Sequence, residues 1–92
     1  MGFFTTHWVG EFEGHKIEVV RRVGGHQFEL LIDDQSVDVE TSLVNMGKRH
    51  LEGTLRLGDT TLPVHALGVQ DAFTEGAIVK VGEQTIEMKK VS

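Results

Sequence analysis

Apolar and polar residues alternate along short segments of this chain, and short turn signals separate the segments. One signal is Gly58-Asp59, a composition that two-residue β-hairpin loops favour. Folding the chain about this turn collects mainly apolar residues on one face, in the pairs Leu57–Thr60, Leu55–Leu62, Gly53–Val64 and Leu51–Ala66. The other face is polar. Because side chains alternate between the two faces of a strand, this separation predicts an antiparallel hairpin.

Four further turn signals behave in the same way. They lie at Glu13-Gly14, Gly24-Gly25, Asp34-Gln35 and Gly82-Glu83. The cross-strand pairs that they predict include Trp8–Val19, Gly10–Ile17, Val19–Leu30, Ile17–Ile32, Arg21–Phe28, Ile32–Val37, Leu30–Val39, Val79–Ile86 and Ala77–Met88. Residues shared by two hairpins, such as Val19 and Leu30, fall on the same face in both registers. This agreement favours continuous antiparallel sheets over isolated hairpins.

The pattern predicts an all-β fold of eight short antiparallel strands, joined mostly as meander hairpins. We expect the strands at about residues 4–12, 15–22, 26–33, 36–43, 49–57, 60–67, 76–81 and 84–90. Between residues 45 and 48 the facing pattern breaks, which predicts a bulge or a change of sheet. A chain of 92 residues predicts one domain. Strands this short favour a compact β-sandwich, and a small up-and-down barrel is the alternative.

Composition narrows the function classes. The chain has no cysteine, which excludes a disulfide framework and any cysteine-based metal or catalytic site. Its formal net charge of −5 is the wrong sign for a general nucleic-acid binder, because phosphates require a basic surface. No apolar stretch reaches the length of a membrane span, so we expect no membrane association. The expectation is a small acidic cytoplasmic protein.

The order of segments resembles the Fas apoptotic inhibitory molecule family. The residues that carry the resemblance are Trp8, the segment His15–Glu18 with the glycine turn after it, the segment Phe28–Val37, and a similar second half at Leu55–Asp59 and Glu75–Ile86. The chain has Asp34-Gln35 where that family often has Asp-Gly. The resemblance implies a compact β-sandwich without catalytic residues that acts as a binding or protective module. No functional residue transfers from it.

The residues themselves offer one weak candidate for a metal site. His50, Glu52 and His65 fall on the polar face of the Gly58-Asp59 hairpin, with Glu52 directly opposite His65. Two imidazoles and a carboxylate are a ligand set that zinc accepts. A solvated polar face explains the same pattern, and we expect no cofactor. No serine has a predicted His-Asp partner, so the sequence predicts no catalytic residues.

A protein partner or self-association is the expected mode of action. An exposed strand edge and the aromatic group Phe3, Phe4 and Trp8 are the candidate contact surfaces. Trp8 also faces Val19 in the predicted register, which is the position of a core residue. The leading hypothesis is therefore a non-enzymatic β-sandwich that binds protein or protects against aggregation and cell death. A small-molecule or metal-binding domain and a small acidic inhibitor remain open alternatives.

Overall fold

The protein folds into two antiparallel β-sheets packed face to face. A computed structural model describes residues 5–22, 27–41, 47–70 and 75–91. These residues contain no helix, and almost all of them lie in β-strands. The described strands are β1 (Thr5–Phe12), β2 (His15–Arg22), β3 (Gln27–Ile32), β4 (Gln35–Thr41), β5 (Gly47–Leu57), β6 (Thr60–Gln70), β7 (Glu75–Val81), β8 (Gln84–Ile86) and β9 (Lys89–Lys90). This all-β sandwich confirms the predicted fold class.

The strand order follows the chain around the sandwich. Sheet 1 has the order β4-β3-β2-β1-β9, and sheet 2 has the order β5-β6-β7-β8. The edge strands β4 and β5 lie against each other, and β1 contacts both β7 and β8. The chain therefore changes sheet between β4 and β5, as one of the two predictions for residues 45–48 required. The connection at residues 42–46 itself lies outside the described residues.

Most predicted registers are confirmed. The pairs Trp8–Val19, Val19–Leu30 and Leu55–Leu62 form as predicted. Turns at Glu13-Gly14 and Gly82-Glu83 begin or end with a left-handed residue, since Glu13, Gly14 and Gly82 all have positive φ. The turn residues 24 and 25 lie outside the described part, although the β2–β3 register that they predicted is present.

The predicted turn at Asp34-Gln35 is wrong by one residue. The turn residues are Asp33 and Asp34, with φ of 51° and 68°, and Ile32 pairs with Gln35. The Asp33 carboxylate explains this choice, because it accepts hydrogen bonds from His15 Nδ1 at 2.6 Å and from the backbone N–H of Lys16 at 3.0 Å. These bonds anchor the β3–β4 turn to the start of β2.

A β-bulge follows this turn and reverses which side chains of the rest of β4 point towards the core. Leu31 pairs with Ser36 and Leu30 with Asp38, so Val37 has no residue opposite it. The predicted pairs Ile32–Val37 and Leu30–Val39 therefore do not form. Val37 and Val39 are 41% and 42% exposed instead of sharing the core.

The predicted eighth strand is divided between the two sheets, which gives nine described strands instead of eight. Residues Gln84–Ile86 pair with β7, whereas Lys89–Lys90 pair with β1 in sheet 1. The predicted Ala77–Met88 pair is absent from the β7–β8 register. Gly10 permits the crossing, because a Cβ there would lie 2.6 Å from Met88 Sδ and 2.7 Å from the carbonyl oxygen of Glu87.

The core lies between the two inward faces. Sheet 1 contributes Trp8, Ile17, Val19, Phe28, Leu30 and Ile32, and sheet 2 contributes Leu51, Leu55, Val64, Ala66, Val79, Val81 and Ile86. The rings of Trp8 and Phe28 stack with centroids 6.4 Å apart. Removing these side chains from water supplies the main stabilisation of the fold.

Inward-facing glycines bring the sheets together. Gly68 on β6 lies beneath the Phe28 ring, where an added Cβ would be 2.5 Å from two ring carbons. Gly53 on β5 lies beneath Val37, whose Cγ2 would be 2.8 Å from such a Cβ. A glycine inside a strand is usually a liability, and here it admits a side chain of the opposite sheet.

We expect Gly68→Ala to lower the free energy of unfolding by about 1–3 kcal/mol, because the methyl group overpacks the core against a buried ring. Gly76→Ala is the matched control, since nothing lies within 4 Å of its added Cβ and its φ is not positive. Urea unfolding followed by tryptophan fluorescence measures both variants. Equal stabilities of the two alanine variants would contradict this account of the interface.

Candidate binding surface

The outer face of sheet 2 is formed by the side chains of β5, β6, β7 and β8 that point away from the core. Two neighbouring rows cross its middle. In one row Glu52 lies opposite His65, and His65 lies opposite Lys80. In the other, Leu67 lies between His50 and Ile78. The face therefore places a polar row directly beside an apolar pair.

The polar row contains one loose ion pair. His65 Nδ1 lies 3.4 Å from Glu52 Oε1, and the two side chains are 56% and 73% exposed. An exposed pair of this kind contributes little to stability, because water and salt screen it. His65 and Lys80 thus offer hydrogen-bond donors at the surface without a structural role that depends on burial.

The three metal candidates are only partly brought together. Glu52 and His65 are in contact, while His50 lies in the next row opposite Leu67. Within the described ranges, no group of three or more His, Cys, Asp or Glu side chains is placed to hold a metal ion. Zinc sites in proteins use three or four protein ligands, and of the three weak candidates only Glu52 and His65 are in contact.

The apolar pair is the most unusual feature of this face. Ile78 is 52% exposed, and its cross-strand neighbour Leu67 is half-buried. Large aliphatic side chains on a sheet face are normally covered or replaced by polar residues. Nothing within the described part of the molecule buries Ile78.

Of the three residues in the predicted aromatic contact surface, the structure describes only Trp8. Trp8 is 5% exposed and belongs to the core, so its ring is not available to a partner. Its register opposite Val19, which predicted the core role, explains this position. Phe3 and Phe4 lie outside the described residues, and their predicted role stays a prediction.

The outer face of sheet 1 shows how such a surface is covered elsewhere in the same protein. Val20 lies at its centre and is only 2% exposed. Four ionisable residues surround it: His7 and Glu29 lie on the neighbouring strands, and Glu18 and Arg22 lie along its own strand. They form two diagonal ion pairs, His7–Glu18 and Arg22–Glu29.

These pairs hold their carboxylates in place. His7 Nδ1 donates to Glu18 Oε2 at 2.6 Å, and the Glu18 and Glu29 side chains are only 13% and 15% exposed. A hydrogen bond from Ser36 lowers the pKa of Glu29 below its ordinary value, and Arg22 acts in the same direction against the effect of burial. The two pairs therefore cover Val20, while Val39, opposite Glu29 on the same face, is 42% exposed.

Hydrogen bonding at the β3–β4 turn shifts two further groups. The hydrogen bond from His15, followed by that from the Lys16 N–H, lowers the pKa of Asp33. The hydrogen bond to Asp34 raises the pKa of Lys16, and the charges of Asp34 and Glu18 add to it. Both groups are at the surface, so these interactions position the turn more than they stabilise the fold.

The sequence analysis did not identify Ile78 and Lys80 as members of this candidate surface. The register about Gly58-Asp59 gave the β5–β6 part of the face, whereas the β6–β7 pairing was not predicted. Applying the same facing rule across residues 71–74 would have paired Leu67 with Ile78, as the structure does. The His7–Glu18 pair could also have been predicted from the sequence, because the Glu13-Gly14 turn makes these residues diagonal neighbours.

Comparison of this chain with protein-family models, curated proteins and solved structures gives no match. The resemblance to the Fas apoptotic inhibitory molecule family therefore stays a prediction. In the described residues, no helix is long and apolar enough to cross a membrane.

We expect stability to fall in acid, partly through Glu29. Its pKa in the folded state lies below the ordinary value of 4.5, so its contribution is complete above about pH 4.5. That contribution is lost as the pH falls through the lowered folded-state pKa, because the unfolded chain then binds the proton more readily. Glu29→Gln should flatten the pH dependence of unfolding below pH 5.

Urea unfolding at a series of pH values between about 3 and 7 measures this effect. Glu83→Gln is the control, because Glu83 is an exposed turn residue and its substitution removes the same charge. Identical pH profiles for the two glutamine variants would contradict the stabilising role of the Glu29 carboxylate, which interacts with Ser36 and Arg22.

Proposed function

We propose that this protein is a non-enzymatic β-sandwich that binds another protein through the outer face of sheet 2. The observation that carries the proposal is the contrast between two aliphatic residues on the two outer faces. Val20 is 2% exposed beneath two ion pairs, whereas Ile78 is 52% exposed beside the half-buried Leu67. The fold has the means to cover an outward aliphatic side chain, and it leaves Ile78 open.

The composition of the face supports a protein partner. Protein interfaces commonly combine a small apolar centre with a polar rim that supplies hydrogen bonds. Leu67 and Ile78 would form the centre, and His65, Lys80 and Glu52 would form the neighbouring rim. A complementary partner surface would bring an apolar side chain over Ile78 and an acceptor group to Lys80.

This proposal moves the expected contact away from the aromatic residues. Burial of Trp8 removes one of the three predicted anchors, and the structure does not describe Phe3 and Phe4. Binding to a sheet face also needs no nucleophile, metal or enclosed cavity. The outer face of sheet 2 is consistent with that requirement, since its Glu52–His65 pair is open to water.

We expect Ile78→Lys to reduce partner binding at least tenfold, because a charged group replaces the apolar centre of the contact. Affinity capture from native lysate, with bound proteins quantified by mass spectrometry, measures the loss. Val91→Lys is the matched control, since Val91 is 57% exposed but follows β9 of sheet 1. Its capture profile should equal that of the wild-type chain.

Far-UV circular dichroism and thermal unfolding establish that both lysine variants are folded. Surface substitutions of this kind usually change stability by less than about 0.5 kcal/mol. A partner retained by Ile78→Lys at wild-type level would contradict the proposed surface. A partner lost equally in both variants would also contradict it, because the effect would then follow charge and not position.

A further inference from the structure

The outer face of sheet 2 carries two cations close to its apolar pair. Lys80 follows Ile78 by two residues on β7, so both side chains project from the same face. Arg56 lies on this face of β5, because it stands four residues beyond Glu52. Both cations are exposed, and among the described residues neither contacts a carboxylate. The face therefore presents two positive charges that no described part of the fold neutralises.

The basic residues of β1 and β2 on the outer face of sheet 1 are arranged differently. Each of these side chains contacts a carboxylate of the same chain, in the pairs His7–Glu18, Lys16–Asp34 and Arg22–Glu29. The two outer faces thus differ in their cations as they do in their aliphatic residues. Lys80 and Arg56 keep their charges open to an acceptor from outside the chain.

The outer face of sheet 2 also differs in sign from the chain as a whole, whose formal net charge is −5. Among the described outward side chains of β5 to β8, two cations stand against one carboxylate, that of Glu52. His50 and His65 lie on the same face and add positive charge when they are protonated. Acids on the far side of the sandwich oppose this charge only weakly, since salt screens charges over about 8 Å at physiological ionic strength.

We propose that the protein partner of this face is acidic, with an apolar side chain over Ile78 and carboxylates at Lys80 and Arg56. This inference rests on the binding role proposed above for the outer face of sheet 2, and it adds the charge of the partner. Complementary charges around an apolar contact increase the rate of association and exclude partners of the wrong sign. Lys80 is the principal cation, because it lies next to Ile78 along β7.

An acidic protein surface fits this face better than a nucleic acid does. Nucleic-acid binding depends on several phosphate contacts, whereas here two cations border an aliphatic centre. Single-stranded nucleic acids also stack their bases on aromatic rings. Among the side chains that the structure describes on this face, none is a phenylalanine or a tryptophan. Ile78 and Leu67 instead match an aliphatic side chain of a protein.

Amide NMR titrations of the full isotope-labelled chain with two capped peptides test the charge of the partner. The acidic probe is acetyl-Glu-Glu-Ile-Glu-Glu-amide, and the neutral probe has Gln in place of each Glu. We expect the acidic probe to shift the amide signals of Leu67, Ile78 and Lys80, and to bind about threefold or more tightly than the neutral probe. Equal binding of both probes to this face would overturn the acidic partner and leave the face as a binding surface.

The variant Lys80→Gln tests whether the charge of this side chain is responsible. It should weaken binding of the acidic probe and leave binding of the neutral probe unchanged, because only a charge contact couples the two substitutions. Lys89→Gln is the matched control, since it removes an exposed charge from β9 of sheet 1. It should bind both probes as the wild type does. An equal loss of both probes in Lys80→Gln would overturn the proposal, because Lys80 would then act through packing.

Two further results would overturn the acidic partner without deciding the binding role of the face. One is the absence of any shift on this face with the acidic probe. The other is tighter binding of a uridine oligonucleotide than of the acidic probe at the same signals. The capture experiment with Ile78→Lys uses neither probe, so it tests the face independently of the charge of its partner.

Discussion

The close approach of the two sheets at inward-facing glycines is the constraint on which the rest of this structure depends. Gly68 receives the ring of Phe28, Gly53 receives Val37, and Gly10 receives Met88 with the backbone of Glu87. A small domain has few large side chains with which to fill the space between two sheets. By omitting a Cβ at three positions, the chain lets side chains of one sheet occupy the surface of the other.

Two of these contacts also determine how the sandwich is closed. Gly10 allows the chain to leave β8 and return to sheet 1 as β9, which covers part of the β1 edge. Gly53 lies beside Glu52, so Val37 and Asp38 reach β5 at the opposite corner. The strand order is that of a meander around a barrel. The ladders nevertheless end at both corners, because side chains and a crossing segment replace continuous strand pairing there.

The outer faces of the two sheets differ in the surroundings that they give to an outward-facing aliphatic residue. Sheet 1 surrounds Val20 with His7, Glu18, Arg22 and Glu29, which contact one another in two pairs. Sheet 2 carries Ile78 beside exposed polar groups that are only loosely paired. Covering the ion pairs of sheet 1 with a partner would remove them from water, which costs free energy unless the partner compensates it. A face with an uncovered aliphatic group gains from burial, which is why the proposed contact lies on sheet 2.

The sequence by itself determined the strands and most of their registers, because a two-residue turn and period-two alternation leave one facing that buries the apolar set. The pairing of Leu55 with Leu62 and of Trp8 with Val19 followed from this pattern alone.

Tertiary structure decided where the fold departs from the predicted turns and registers. The Asp33 turn is held by His15 and Lys16 from another hairpin, Val37 bulges towards Gly53, and residues 84–90 divide between two sheets. It also placed the Asp38 carboxylate beside the N–H of Glu52. Each of these joins segments distant in the chain, and local alternation carries no information about such contacts.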